Sequence, residues 1–225
     1  QLAKALFPIG ELQKSQVRAI ASQLDLVTAN KKDSQGLCFI GKVSLPDFLQ
    51  QKLAVKKGMV IEIAADTNLN KQALGQQLPL DSKVNPYKFT PEMGKVVGQH
   101  NGAHYFTVGQ RKGLAIGGTP KPLFVLGTDT EANIIYTGQG DDHKGLNKEG
   151  LFIDKKETHW LQPHLALADG ESAEYKVRIR YRQPLFDATL YQEKNGLYVI
   201  FKQPQKAVAP GQFAAWYKND EVIKS

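Results

Sequence analysis

The chain has 225 residues, of which 41% are hydrophobic and 23% charged, as in ordinary globular proteins. No run approaches the roughly 18 consecutive apolar residues of a membrane span, and no N-terminal stretch has the order of a secretory signal. The net charge of +7 favours polyanionic partners, although a basic protein without a nucleic-acid role fits the charge equally well. Cys38 is the only cysteine, so no internal disulfide can form, and a lone thiol predicts a cytoplasmic protein.

The first predicted element is an amphipathic helix near the start of the chain. Its apolar residues recur at i, i+3, i+4 and i+7 and therefore share one face: Val17, Ile20, Ala21 and Leu24. A second, short helix is predicted over Leu45–Leu53, with Pro46 in its first turn, where a missing N–H costs little.

Strands are predicted from residue 58 onward. Alternating apolar residues predict a strand over Met59–Ile63, whereas residues 64–94 show no clean period and predict a long insertion or loop. Beyond Thr119 the sequence reads as short strands separated by turns, which favours a small barrel or sandwich. The predicted strands are Phe124–Gly127, Ile134–Gly138, Ala173–Arg182, Ala188–Gln192, Leu197–Gln203 and Gln212–Tyr217.

Cys38 has two interpretations. Unpaired cysteines are among the most buried residues, and the apolar neighbours Leu37 and Phe39 favour a structural role. Lys31 and Lys32 are nearby cations that would lower the thiol pKa and favour the reactive thiolate. The local sequence leaves both open.

The segment 175–182 carries the clearest sign of a polyanionic partner. If it is one strand, four cations project from a single face: Lys176, Arg178, Arg180 and Arg182. A solvated outer face usually mixes charges, because adjacent like charges repel. An all-cation face therefore favours contact with a phosphate backbone, with an ordinary solvated face as the alternative.

A second basic segment lies at Gly109–Gly113, where Arg111 and Lys112 stand between glycines. Such a loop is suited to phosphate contact through backbone N–H groups, although a basic surface turn fits equally well. It has no phosphate-loop pattern of nucleotide-binding proteins. The histidines lack the spacing and partners of a zinc site, so no metal site is predicted.

Seven segments, in order along nearly the whole chain, resemble the family of tRNA-specific 2-thiouridylases. They are Leu6–Pro8 with Gly10, Lys14–Arg18, Lys32–Gly41, His100 with Gly102, Thr107–Leu114, Arg180–Gln183 and Ala209–Gln212. The resemblance predicts the C-terminal portion of such an enzyme, because the family's pyrophosphate loop and its upstream cysteine are absent. Alone, this portion is expected to be inactive.

The resemblance implies sulfur transfer to the wobble uridine of tRNA. ATP, with magnesium, activates the C2 oxygen at a site expected upstream, and Cys38 carries a persulfide received from a sulfur-relay protein or a cysteine desulfurase. An upstream cysteine then closes a disulfide with Cys38. The resemblance also assigns tRNA contact, in the anticodon region, to Arg180, Tyr181 and Gln212; the cationic strand adds Arg178 and Arg182.

The predicted fold is α+β in three parts. Residues 1–42 end an adenylating α/β domain, residues 43–118 form a small mixed domain with the insertion at 64–94, and residues 119–225 form an antiparallel β-barrel. Two rival functions remain: a non-catalytic RNA-binding module with a structural Cys38, and an enzyme acting on a phosphorylated metabolite.

Overall fold

A computed structural model describes residues 4–31, 48, 54–69, 80–180, 183–218 and 221–224. The chain divides into two units, Gln1–Leu53 and Ala54–Ser225, and each is described by itself. Cys38 lies outside the described residues, as do Tyr181 and Arg182.

The first unit contains the predicted amphipathic helix, α1 (Lys14–Gln23). A capping box begins it, in which the Gln13 N–H donates to Gln16 Oε1 at 2.7 Å. The predicted apolar face is not buried: Ile20 is 43% exposed and Leu24, at the C-cap, 65%. Of the predicted second helix only Phe48 is described, and it is helical.

The second unit begins with a four-stranded central sheet in the order β2-β1-β4-β3. Its strands are β1 (Gly58–Ile63), β2 (Gly94–His100), β3 (Leu123–Asp129) and β4 (Ile134–Gln139). Strand β1 pairs antiparallel with β2 and parallel with β4, and the predicted strands β3 and β4 form an antiparallel hairpin. Because β1 is interior and covered on both faces, Val60 and Ile61 are both buried although they point to opposite sides.

Residues 64–94 were predicted to be a loop, and the described part is more structured than that. It contains the one-turn helix α2 (Asp81–Val84) and a 3-10 turn over Pro91–Met93. Asp81 is buried, and its Oδ1 accepts a hydrogen bond of 2.7 Å from the hydroxyl of Tyr198. This contact fixes α2 to the sheet that follows.

The C-terminal half of the second unit is a six-stranded antiparallel sheet in the order β10-β9-β6-β7-β8-β5. Its strands are β5 (Asn147–Asp154), β6 (Ser172–Arg178), β7 (Phe186–Glu193), β8 (Gly196–Lys206), β9 (Ala215–Lys218) and β10 (Glu221–Lys224). The core on this sheet is built around Trp216, Leu190, Leu197 and Val199, each 0% exposed. Trp160 meets Trp216 edge-on at 5.4 Å between ring centroids.

These sheets confirm the α+β class. Among the described residues the strand pairs of the six-stranded sheet run from one edge to the other without a closing pair, so a closed barrel stays a prediction. The predicted boundary after residue 118 falls within the central sheet. Strands β1 and β2 lie before it in the chain and the hairpin β3–β4 lies after it. No helix among the described residues is long and apolar enough to cross a membrane.

Candidate nucleic-acid interface

Strand β6 has the predicted alternation but is shorter than predicted. Tyr175, Val177 and Ile179 are buried, whereas Lys176 is exposed. The strand ends at Arg178, and Arg180 lies in a bend whose carbonyl accepts the Gln183 N–H. The pairing with β7 ends at Val177 and that with β9 at Arg178, so among the described residues neither ladder extends beyond Arg178.

The cationic face is not the uniform row that the sequence suggested. Lys176 lies directly opposite Asp187 on β7 and forms an ion pair with it at 2.6 Å. The hydrogen bond from Lys176 lowers the pKa of the Asp187 carboxyl. The positive charge of Lys176 is therefore already matched within the sheet.

Arg178 packs along the sheet. It is half-buried and its guanidinium carbon lies 5.7 Å from the ring centroid of Tyr217 on β9, a cation–π arrangement. Its buried Nε atom has no hydrogen-bond partner among the described residues.

Arg180 is brought together with Gln212, 32 positions later. Its Nε–H donates to Gln212 Oε1 at 3.2 Å, and its Nη2 donates to the carbonyl of Ala207. A guanidinium has five N–H donors, so three are left that no described residue occupies. Arg180 is exposed, and two neighbours orient its planar head toward solvent-accessible space.

The Gly109–Gly113 loop reaches the same Ala207. Gly109 has a φ of 85°, and a Cβ placed on it would overlap the Cβ of Ala207, so the Ala207 side chain packs directly against the Gly109 backbone. Two segments that the sequence singled out separately thus meet at one residue. Cys38, Tyr181 and Arg182 lie outside the described residues.

One feature of this surface was missed from the sequence. Phe213, next to Gln212, is 84% exposed. It follows Gly211, whose φ of 80° makes the turn that carries Gln212 to Arg180. An aromatic residue directly after a Pro-Gly turn was the available signal.

Two histidines, His100 and His143, have structural environments. Burial lowers the pKa of His100, and its Nδ1 accepts the Gly102 N–H at 2.9 Å, which places the proton of the neutral ring on Nε2. His143 likewise accepts from the Gly145 N–H and contacts the Ile63 carbonyl. Within the described ranges, no three His, Cys, Asp or Glu side chains are grouped to hold a metal.

Comparison with known proteins accounts for most of the chain. Family models match residues 1–42 as a tRNA methyl transferase HUP domain, 85–139 as a tRNA methyl transferase PRC-barrel domain, and 152–225 as an aminomethyltransferase beta-barrel domain. All of this chain aligns with proteins named tRNA-specific 2-thiouridylase MnmA: at 58% identity in Christiangramia forsetii, 55% in Flavobacterium johnsoniae and 49% in Karelsulcia muelleri.

The chain belongs to the MnmA family. The alignment covers 58%, 58% and 57% of those three relatives, so the chain spans somewhat under three fifths of their length. The family resemblance predicted from the sequence motifs is confirmed. The match at 85–139 includes β2, β3 and β4, in agreement with the grouping of the hairpin in the central sheet of this MnmA family member.

Proposed function

We propose that this chain is part of a tRNA 2-thiouridylase and supplies both its persulfide cysteine and a tRNA-docking surface. The reaction is supported by the relatives, which are named tRNA-specific 2-thiouridylase. The observation that carries the docking surface is the guanidinium of Arg180, held by Gln212 and Ala207 with three donors open. Arginine held in this way binds the oxygens of a phosphate bidentately.

The sulfur chemistry falls to Cys38. ATP supplies a leaving group by activating the C2 oxygen of the uridine. The outer sulfur of the Cys38 persulfide attacks C2, the activated oxygen departs, and a second cysteine thiolate then attacks Cys38 Sγ. That step breaks the bond between Cys38 Sγ and the transferred sulfur, releases 2-thiouridine and forms a disulfide between the two cysteines, which a thiol reductant then reduces back to two thiols. The persulfide sulfur is delivered by a sulfur-relay protein or a cysteine desulfurase. Thiolates are the nucleophiles at each step.

The described residues of the first unit do not fit a nucleotide. The N-terminal turn of α1 is closed by the capping box between Gln13 and Gln16 rather than left open for a phosphate. ATP and magnesium are therefore assigned to residues other than those described.

The tRNA-docking proposal is tested by Arg180→Ala. We expect the variant to lose one phosphate contact, about 1.5 kcal/mol or roughly tenfold in affinity at moderate salt. The slope of log K against log salt should fall by about 0.7 to 0.9, because one fewer counterion is released. Filter binding or fluorescence anisotropy with unmodified tRNA over a salt series measures both.

Lys194→Ala is the matched control. Lys194 is an exposed cation in the turn between β7 and β8, at the other end of the sheet from Arg180. Lys194→Ala removes the same net charge as Arg180→Ala. An equal loss of tRNA affinity in both variants would therefore indicate an effect of the protein's overall charge rather than of a contact at Arg180. An unchanged slope for Arg180→Ala would overturn the assignment of phosphate contact.

Phe213 is assigned to stacking on a base or ribose beside the Arg180 contact. Removing an aromatic platform costs about 1 to 3 kcal/mol per stacked base. We therefore expect Phe213→Ala to weaken tRNA binding with no change in the salt slope. Phe213→Tyr should bind tRNA with the affinity of the wild type. Equal affinities for wild type and Phe213→Ala would remove Phe213 from the interface.

A further inference from the structure

The Gly109–Gly113 loop has a fixed conformation set by Gln110. The Gln110 side chain accepts the Thr107 N–H at 3.1 Å and donates from Nε2 to the Lys112 carbonyl at 2.8 Å. The Gln110 N–H also donates to the Thr107 carbonyl at 2.9 Å. One side chain thus braces both ends of the turn, and the turn needs no partner to hold its shape.

The loop is fixed to the central sheet by β3. The Gly109 N–H donates to the Val125 carbonyl at 2.7 Å, and the Val125 N–H donates to the Gln110 carbonyl at 2.9 Å. Val125 is 0% exposed, so this pair of hydrogen bonds lies on a buried part of the strand. The direction in which the loop presents its next residues is therefore set by the core.

Ala207 connects this loop to the Arg180 contact. It has a φ of 55°, its N–H donates to the Leu146 carbonyl at 2.8 Å, and its own carbonyl accepts from Arg180. Its Cβ touches the backbone of Gly109. Consecutive Cα atoms are 3.8 Å apart, so the Cα of Arg111 lies within about 7.6 Å of the Cα of Gly109.

Arg111 and Lys112 are exposed, and their side chains have no hydrogen bond or ion pair with the described part of the chain. Three other lysines are each paired with a carboxylate: Lys121 with Asp142, Lys176 with Asp187 and Lys206 with Asp141. Unmatched cations on a fixed turn are an anion-binding arrangement, whereas matched cations are a solvated surface.

We propose that Arg111 and Lys112 bind phosphates of the same tRNA that Arg180 contacts, so that the docking surface extends from the C-terminal sheet onto the central sheet. This inference rests on the proposed function. An extended polyanion suits it better than an acidic protein segment, because the cations lie on two elements that meet side by side. Asp141 is held by Lys206, the chain neighbour of Ala207, and Asp142 is held by Lys121.

The test is the double variant Arg111→Ala, Lys112→Ala, with tRNA affinity measured over a salt series. Loss of two phosphate contacts should lower the slope of log K against log salt by about 1.4 to 1.8. The matched control is Lys56→Ala, Lys57→Ala. That pair of exposed cations precedes β1, at the end of the central sheet opposite to the loop, and should leave the slope unchanged.

The outcomes separate this inference from the proposed function. If Arg180→Ala lowers the slope and the loop variant does not, the loop contacts something other than tRNA and the inference is overturned. If wild-type protein binds no tRNA, the proposed function itself fails. If the loop variant and its control lower the slope by the same amount, the effect reflects only the overall charge, and the inference is also overturned. Melting temperatures equal to wild type confirm that the exposed substitutions leave the fold intact.

Discussion

Replacing Cys38 by serine is expected to abolish ATP-dependent 2-thiouridine formation in the protein expressed from its complete reading frame. A serine oxygen cannot carry the persulfide sulfur, so product should fall to the background of the assay, whereas tRNA binding should be unchanged. The measurement is mass spectrometry of digested tRNA, alongside binding of the same tRNA. The two readouts distinguish a lost sulfur carrier from a lost docking surface.

Two results would count against the assignment. A serine variant that thiolates normally would mean that sulfur travels by another route and that Cys38 has a structural role. Alkylation of the native 225-residue chain tests the same point independently, because Cys38 is its only cysteine. A reactive carrier should label in the native state, whereas a buried structural thiol should label only after unfolding.

The elements that the sequence predicted correctly have strong local signals. Strand β1, the hairpin β3–β4 and strands β6 to β8 carry apolar alternation or apolar runs between turn residues. Helix α1 was found from its spacing, although two residues of its apolar face, Ile20 and Leu24, are exposed. Local periodicity reports which element forms, and it does not report what covers that element.

The strands that were missed share a position. Strands β2, β5 and β10 each lie at the edge of a sheet in the described order. An edge strand pairs on one side only and needs less apolar surface, so polar and charged residues interrupt its alternation. Lys148 and Glu149 in β5 are an example. Such strands are recognised by their partners, which a single sequence does not supply.

The candidate site was predicted only in part, again because a single sequence does not show which residues lie opposite one another. Sequence motifs selected Arg180 and Gln212, and the structure places them in contact. The pairing of Lys176 with Asp187 depends on the register of β6 and β7, and the contact of Gly109 with Ala207 depends on how the two sheets approach. Both are long-range features, so alternation along one strand overestimated the number of unmatched cations.

The largest expected effect on stability is that of Trp216→Ala. Trp216 is 0% exposed, contacts Trp160, and lies opposite Val177 of β6. Removing its side chain leaves a cavity in the core of the C-terminal sheet, and such a substitution costs about 3 to 5 kcal/mol. Urea unfolding followed by far-UV circular dichroism should show a lower midpoint with a similar slope.

Phe213→Ala is the matched control for this prediction, since it removes a large aromatic side chain that is 84% exposed, three positions away. It should leave the unfolding midpoint unchanged while weakening tRNA binding. Trp216→Ala should lower the unfolding midpoint and leave tRNA binding unchanged at temperatures where the variant stays folded. The substitution removes neither the pairing of Arg178 with Ala215 nor the contact of Arg180 with Gln212. A loss of less than about 1 kcal/mol for Trp216→Ala would mean that the core collapses around the vacated space, and would contradict the prediction.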